Sequence, residues 1–261
     1  MLEFPPHDAV EHRKPMPQKS EEAVLLRTYA VGEADQILVF LTRSEGKLRG
    51  RAHSSRKSRK RFGGALQPLS HLRVHYFERE GRDLARIDEC DLLHSYFEVQ
   101  QGLRAAGYLS YVAELTEEFC REKQPEERFF RLLVATLEAV EAGADPAWSA
   151  RYFELWTLRL HGLLPDLSAC VRCAGALDHD TRYTPRERGL LCESCSCGES
   201  GLQLGPGVLQ QLRSFIRQPP GKVAGGDELL AQCEDFLQLM LTSFTERPFR
   251  SLRVLREMGL R

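Results

Sequence analysis

Alternating hydrophobic and polar positions indicate that the first third of the chain forms short strands. Residues 24–29 and 36–42 are rich in Val, Leu, Ile and Phe, and the glycine turn SEGK at 44–47 separates the second run from a third. Residues 71–76 alternate strictly, and a fifth run follows at 83–93. This region therefore reads as five consecutive strands.

Five short strands within about 70 residues, with one longer insertion, favour a small closed barrel of the oligonucleotide-binding (OB) type. Leu72, Val74 and Tyr76 share one face of the fourth strand and are candidates for the barrel core. An SH3-like barrel or an open sandwich would show the same pattern, so periodicity alone leaves these three folds open.

After residue 98 the hydrophobic spacing changes to that of amphipathic helices. Val112, Leu115 and Phe119 recur three or four residues apart, and Asp145 followed by Pro146 is a typical N-cap and first-turn proline. Similar spacing recurs in three further segments: residues 129–140, 208–216 and 229–244. Aromatic residues on these stripes are predicted to be core rather than ligand-stacking surfaces.

The eight cysteines fall into two groups. Cys90, Cys120 and Cys233 belong to the strand and helix patterns and are predicted to be buried thiols. The other five lie between the helical segments, at positions 170–197.

This second group contains the most specific motif in the chain. Cys170 and Cys173 form one C-x2-C pair, and Cys192 and Cys195 form another after eighteen intervening residues. Such paired knuckles are typical of a tetrahedral zinc site, and four thiolates would fill the coordination sphere, which favours a structural metal over a catalytic one. Cys197 competes with Cys195 for the fourth position, and metal-free thiols or a redox pair remain alternatives.

Charge is concentrated in one place. The chain has 36 basic and 37 acidic residues, and removing eight basic residues at 47–61 leaves 28 basic against 37 acidic. The eight are Lys47, Arg49, Arg51, Arg56, Lys57, Arg59, Lys60 and Arg61. A single cationic cluster on an otherwise acidic chain indicates a defined surface for a polyanion, although many charge runs are only solvated.

Other function classes receive no support. The N-terminal segment 1–21 has four prolines and no apolar core, so it is predicted to be a disordered tail rather than a signal peptide. The longest aliphatic or aromatic run, 37–41, is too short to cross a bilayer. Motifs for phosphate loops, zinc proteases, serine hydrolases, dinucleotide binding and zinc deamination are absent from the sequence. The acidic stretch 117–127 reads as a solvated helix end, and no catalytic constellation emerges.

Three stretches resemble the RecO family of bacterial recombination mediators. VLLRTYAVGEADQILVFLTRSEGKLRGRA, followed by SRKRFGGALQPL, looks like the N-terminal barrel of that family. LHGLLPDLSACVRCAG is similar to the family's entry into its first zinc knuckle, and RPFRSLRVLREMGL resembles its C-terminal helix. The matches extend from 22 to 261 in the expected order.

The resemblance implies an α+β multidomain protein: an OB-type barrel at 22–98, then an α-helical domain at 99–167 and 204–261, interrupted by a zinc-binding module at 168–203. It implies no catalysis, one structural zinc ion on Cys170, Cys173, Cys192 and Cys195, and DNA binding by the eight basic residues named above. Some family members lack the cysteines, so zinc would support the fold rather than the function.

The resemblance also implies partners. RecO proteins bind single- and double-stranded DNA, anneal complementary strands, and work with RecR and RecF to load RecA onto DNA coated by single-stranded DNA-binding protein, whose C-terminal tail is an expected partner. The expected location is the cytoplasm, at the nucleoid, with no membrane and no small-molecule substrate. Two other classes remain alternatives: a nuclease that uses the barrel to hold DNA, and an adaptor whose basic run meets an acidic protein.

Overall fold

The computed structural model describes residues 17–78 and 81–260, apart from the side chain of Arg59. Most of the predicted tail, residues 1–16, lies outside the described residues. The predicted end of that tail at residue 21 is wrong, because the first strand begins at Lys19 and pairs there with Tyr76. Backbone pairing extends this strand beyond the hydrophobic positions that reveal it in the sequence.

Five strands form a closed barrel in the order β1-β2-β3-β5-β4, with β1 hydrogen-bonded to β4. Neighbouring strands are antiparallel except β3 and β5, which are parallel. The strands are β1 (Lys19–Val31), β2 (Asp35–Thr42), β3 (Gly46–Ala52), β4 (His71–Phe77) and β5 (Ala85–His94). The predicted OB-type barrel is confirmed, and it explains the long segment between the third and fourth runs as the connection that crosses the barrel end.

The barrel interior is filled by alternate residues of each strand. Phe62 and Tyr76, which could have stacked on bases, are 1% and 0% exposed and pack in this core. Phe62 ends a one-turn helix, α1 (Arg59–Phe62), so the end of the basic run is helical rather than loop. A β-carbon at Gly50 would overlap Ile87, so glycine at this position permits the close parallel pairing of β3 with β5.

Six helices make up most of the helical body: α2 (Leu103–Phe119), α3 (Glu127–Glu141), α4 (Pro146–Leu160), α5 (Pro206–Arg217), α6 (Asp227–Thr245) and α7 (Arg250–Glu257). Asp145 caps α4 as predicted, accepting hydrogen bonds from the amides of Ala147 at 2.9 Å and Trp148 at 3.0 Å. Helix α7 packs closely on α2, where a side chain at Gly107 would overlap Leu255.

A charged network lies inside the helical body. Arg151 and Glu154 of α4 are 0% exposed and 2.6 Å apart, and Arg151 also lies 2.7 Å from Glu234 of α6. Tyr111 of α2 donates to Glu154 at 2.5 Å, and Arg256 of α7 donates to Glu234 at 2.6 Å. Four helices thus meet at buried ionic groups, which are costly unless paired.

The cysteine-containing insert includes a small sheet in the order β7-β6-β8. Its strands are β6 (Thr181–Thr184), β7 (Gly189–Leu191) and β8 (Leu202–Leu204). Leu177, Leu190 and Leu191 of the insert belong to the same buried cluster as the helical body. The insert therefore shares a core with the helices instead of forming a core of its own.

The acidic stretch 117–127 lies between the barrel and the helical body. Glu117 pairs with Arg27 at 2.8 Å, and Glu127 pairs with Arg43 at 3.1 Å. The backbone amide of Lys47 donates to the Arg121 carbonyl at 3.0 Å. Residues 121–125 and 127 are exposed, as expected for a solvated helix end, and the barrel supplies cations for Glu117 and Glu127 that sequence spacing does not reveal.

Within the described residues, none of the helices combines the length and the apolar character needed to span a bilayer.

Candidate functional sites: a cysteine cluster and a basic cleft

Four cysteines converge as the motif predicts. The sulfur atoms of Cys170, Cys173, Cys192 and Cys195 all lie within 4.8 Å of one another. The Cys173 and Cys192 sulfurs are 3.7 Å apart, close to the spacing of about 3.8 Å that follows from tetrahedral Zn–S bonds of about 2.3 Å. Cys197 is exposed and does not belong to the group. The donor set and spacing therefore fit a tetrahedral, thiolate-bound metal.

Each knuckle is a tight turn held by its own backbone. The Ala174 amide donates to the Cys170 carbonyl at 2.8 Å, and the Ser196 amide donates to the Cys192 carbonyl at 2.9 Å. Left-handed backbone occurs at Ala174, with φ 58°, and at Gly198, with φ 78°. Glycine supplies this conformation after the second knuckle, whereas in the first knuckle Ala174, and not the following Gly175, adopts the positive φ.

The thiols of the cluster do not ionise alike without a cation. Hydrogen bonds from Ser194 and from the Cys195 amide lower the pKa of Cys192 to about 6. Hydrogen bonding with Cys192 and Cys173 raises the pKa of Cys195 to about 12, because a second thiolate beside the first is unfavourable. A bound divalent cation would remove this penalty and allow all four sulfurs to be ligands.

Arg172 joins the two knuckles, a role that the motif alone did not reveal. Its guanidinium donates to the Cys195 carbonyl at 2.9 Å and to Glu199 at 2.8 Å, and it also pairs with Glu187. These acceptors come from the turn between β6 and β7 and from the second knuckle. The residue between the first two cysteines therefore holds the second pair in register.

Strand β3 presents three of the predicted DNA-binding residues on the outside of the barrel. Lys47, Arg49 and Arg51 alternate with buried positions. Lys47 donates from Nζ to the Glu117 carbonyl at 2.9 Å, so its amine holds the barrel to the helical body. Arg49 lies 3.7 Å from Glu122 and is exposed, as is Arg51.

The segment after β3 carries the other predicted cations. Three of its side chains are exposed: Arg56, Lys57 and Lys60. Arg61 is half-buried; its guanidinium donates to the His53 carbonyl at 2.6 Å and lies 4.9 Å from the Phe62 ring centre. The side chain of Arg59 lies outside the described residues. This segment thus combines one structural arginine, Arg61, with three exposed cations.

A cleft of ≈ 600 Å³ opens between β3, the segment after it, the β4–β5 turn and β5. Arg51 and Arg61 line it together with Arg82 and Arg86, and among the described residues Asp83 is the one acidic residue in its lining. Sequence reasoning missed Arg82 and Arg86 because they lie outside the basic run. Their position could have indicated a role: Arg82 lies in the turn between the fourth and fifth strands, and Arg86 lies at the start of the fifth. In OB barrels this turn often contacts the ligand.

An OB barrel with a cationic cleft of this kind is the arrangement found in nucleic-acid-binding proteins. The family models described as Recombination protein O N terminal and Recombination protein O C terminal match residues 16–96 and 100–253. The chain therefore belongs to the RecO family of DNA repair and recombination proteins, and the resemblance seen in the sequence is confirmed.

Individual relatives agree with this assignment. The DNA repair protein RecO of Anaeromyxobacter sp. (strain K) is 35% identical over 243 residues, which cover 90% of this chain and 95% of the relative. The RecO protein of Koribacter versatilis is 43% identical over 175 residues, covering 67% of this chain and 71% of the relative. That of Myxococcus xanthus is 29% identical over 246 residues, covering 94% of this chain and all of the relative.

Proposed function

We propose that the protein binds single- and double-stranded DNA through the outer face of its barrel and anneals complementary strands as a recombination mediator. The observation that carries this proposal is the cleft in which Arg51 and Arg61 of the basic run meet Arg82 of the β4–β5 turn and Arg86 of β5. Arg49, Arg56, Lys57 and Lys60 extend the same cationic surface, and Lys47 is assigned to domain docking. Arg59 of the same basic run is also proposed to bind DNA. No catalytic step is assigned to the chain.

Phosphate binding by such a surface would be largely independent of sequence. Lys and Arg neutralise phosphates and release counterions, so affinity falls steeply as salt increases. Contacts to the backbone position a strand without engaging base edges. Because Phe62 and Tyr76 are buried, base stacking on them is not part of the proposal. Bases left free on a bound strand could pair with a second strand, which is the requirement for annealing.

Equilibrium binding over a range of salt concentrations tests the proposal. If about five side chains contact phosphates, the log–log salt slope for a single strand is expected to be about −3.5. Changing Arg56, Lys57, Arg59, Lys60 and Arg61 together to Ser should flatten the slope and weaken binding to unrelated sequences equally. An unchanged slope in the folded variant would contradict DNA binding by this surface. Cleavage of labelled strands by the purified protein would instead favour the nuclease alternative.

The cysteine cluster is proposed to hold one structural zinc ion. Zinc would bind Cys170, Cys173, Cys192 and Cys195 and fix the two knuckles, leaving no open coordination position for chemistry. The insert shares its hydrophobic core with the helical body, so the metal would stabilise that body as well. Metal analysis of protein purified without chelator should give one zinc per chain.

RecR, RecF and the C-terminal tail of single-stranded DNA-binding protein are proposed partners in loading RecA, at the bacterial nucleoid. A cleft of ≈ 420 Å³ beside the insert is a candidate site for such a tail. Its apolar wall includes Leu164 and Ile216, and Arg159 and Arg217 lie at its edge. An arginine pair beside apolar side chains suits a peptide that ends in a free carboxylate.

Peptide binding provides the test of that partner site. The tail peptide with a free C-terminus should bind, and the same peptide amidated at its C-terminus should bind about tenfold or more weakly, because a charge-assisted hydrogen bond is lost. Arg217→Ala should remove the difference between the two peptides. Equal binding of both peptides by the wild-type protein would contradict capture of the carboxylate.

A further inference from the structure

Asp35, the first residue of β2, makes four polar contacts with residues of the basic run. Its Oδ2 atom accepts a hydrogen bond from Arg51 Nε at 3.0 Å, lies 2.9 Å from Arg51 Nη2 in an ion pair, and contacts His53 Nδ1 at 3.0 Å. Its Oδ1 atom accepts from the backbone amide of Ser54 at 2.8 Å. One carboxylate therefore contacts the end of β3 and the beginning of the segment that leaves it.

Neighbours of Asp35 hold the same segment. The Arg56 amide donates to the Ala34 carbonyl at 3.1 Å, and Ser55 Oγ donates to Gln36 at 2.9 Å. Ser54 has a positive φ of 54°, a conformation that is unfavourable for serine without local support. The Ser54 amide bond to Asp35 supplies such support at the residue where the chain turns.

The hydrogen-bond donors around Asp35 favour its anionic form. The Ser54 amide, with Arg51 and His53, holds the pKa of the Asp35 carboxyl below its usual range. A carboxylate beside a polyanion-binding surface is electrostatically unfavourable for binding. Its presence here therefore requires a benefit that offsets the repulsion of phosphate.

We propose that Asp35 is a positioning residue for DNA binding: it orders the segment 53–58 and orients Arg51 toward the cleft. The cations are therefore already ordered before they meet phosphates, and binding does not have to order them. This inference rests on the proposed DNA binding and deepens it. Ordering side chains and loops on binding weakens association, and a pre-ordered surface avoids that loss.

When the Asp35 carboxylate is removed, a purely electrostatic effect and a positioning role predict opposite changes in DNA affinity. On charge alone, Asp35→Ala leaves a more positive surface and should bind DNA more tightly. If Asp35 positions the segment, the same substitution should weaken binding of a single strand by about tenfold, since several side chains lose their order. The number of phosphate contacts in the final complex is the same, so the salt slope should change little.

Asp83 provides a matched control. It is exposed in the same cleft, and none of the described residues donates a hydrogen bond to its carboxylate. Asp83→Ala removes one negative charge without removing a hydrogen bond to the basic segment. Its affinity should equal or exceed that of the wild-type protein.

Asp35→Asn provides the conservative variant. Its amide oxygen can still accept from Ser54, although the charge and the paired contact with Arg51 are lost. Positioning predicts partial recovery relative to Asp35→Ala, whereas charge alone predicts that both variants bind more tightly than wild type. Trypsin adds a structural readout, because an unanchored segment should be cleaved faster at Arg56 and Lys57 in Asp35→Ala.

The experiment is fluorescence anisotropy with a labelled single strand over a salt series, using the full chain loaded with zinc. Tenfold weaker binding by Asp35→Ala, with wild-type slope, partial recovery in Asp35→Asn and no loss in Asp83→Ala, is the expected result. Equal or tighter binding by Asp35→Ala overturns positioning while DNA binding stands. Absence of DNA binding by wild-type protein overturns the proposed function and this inference together.

Discussion

The barrel and the helical body use charged side chains in different ways. In the barrel, the Arg51 guanidinium is 45% exposed and is held by Asp35 at the edge of an open cleft. In the helical body, Arg151 is 0% exposed and pairs with Glu154 and Glu234 in the interior. The exposed barrel cations can therefore contact a ligand from solvent, whereas the buried charges form ion pairs with other residues of the same chain.

This difference predicts a separation of effects. Substitutions among the exposed cations of the barrel should change DNA affinity and leave folding stability nearly unchanged, because exposed charges contribute little to stability. Substitutions in the charge network or the cysteine cluster should change stability and leave the DNA affinity of the folded protein nearly unchanged. Each variant should therefore be measured for both properties.

The largest effect is expected for the cysteine cluster. Cys170→Ser removes a buried sulfur from the four-cysteine group, and structural zinc sites contribute on the order of 10 kcal/mol to local folding. We expect loss of the metal, unfolding of the insert and a lower melting temperature of the helical body. Cys197→Ser, which changes an exposed cysteine outside the group, should keep one zinc and the wild-type melting temperature. Equal metal content in both variants would contradict the assignment.

The next effect concerns the buried carboxyl of Glu154. Burial raises its pKa to about 7 from an ordinary value of 4.5, with Arg151 opposing the shift. The folded state therefore keeps a proton that the unfolded chain has lost, so this group's stabilising contribution decreases as pH rises from about 4.5 to about 7. Between pH 5 and 8, wild type should lose about 2 to 3 kcal/mol of unfolding free energy relative to Glu154→Gln.

Denaturant titrations of the two proteins at both pH values measure that difference. The comparison cancels titrating groups that both proteins share, including the zinc ligands. A constant difference in unfolding free energy between pH 5 and 8 would show that Glu154 does not titrate in this window. DNA affinity of the folded variant at pH 8 should equal that of wild type.

A smaller effect is expected for Arg172, which bridges the two knuckles. Removing a residue that orients metal ligands typically weakens metal binding about 10- to 100-fold. Arg172→Ala should therefore release zinc to a chelator at lower chelator concentration, with the insert still folded when zinc is in excess. Arg186→Ala, a change of another arginine in the insert, is the control. Equal zinc affinity of both variants would argue against a bridging role.

The smallest effect on free energy is expected for Lys57 and Lys60. Both are exposed and make no ion pair with any described residue. Changing both to Gln should reduce the single-strand salt slope by about 1.4, equivalent to two phosphate contacts, without altering the melting temperature. Lys47→Gln should leave the slope unchanged, since the Lys47 amine donates to the Glu117 carbonyl. A slope change in Lys47→Gln and not in the double variant would reverse the assignment of these lysines.

Local sequence patterns predicted the features that depend on local geometry. The spacing of Cys170, Cys173, Cys192 and Cys195 predicted their convergence, because each knuckle is a short turn closed by its own backbone. The five-strand pattern favoured a small barrel but left an SH3-like barrel and an open sandwich as alternatives, and the family resemblance implied the OB type. Asp145 predicted the start of α4. The turn within each knuckle and the cap of α4 depend on contacts between residues close in sequence, and the strands follow a regular period.

Features that depend on distant partners were missed. The basic run was visible in the sequence. Its division into a docking residue, Lys47, and exposed side chains depends on the contact of Lys47 with the end of α2. Asp35 precedes the basic run by twelve residues, and Arg82 follows it by more than twenty. Only closure of the barrel brings these three elements to one surface, and no local spacing encodes that contact.

Strand annealing tests the central claim that the exposed barrel cations perform the function. The rate at which complementary labelled strands pair should be measured at physiological salt, with strands both bare and coated by single-stranded DNA-binding protein. The protein in which Arg56, Lys57, Arg59, Lys60 and Arg61 are all changed to Ser should anneal bare strands about tenfold or more slowly than wild type, since it loses phosphate contacts. Its zinc content should be unchanged, and its melting temperature should decrease only slightly, because the Arg61 hydrogen bond to the His53 carbonyl is lost. A wild-type annealing rate in this variant would contradict the account.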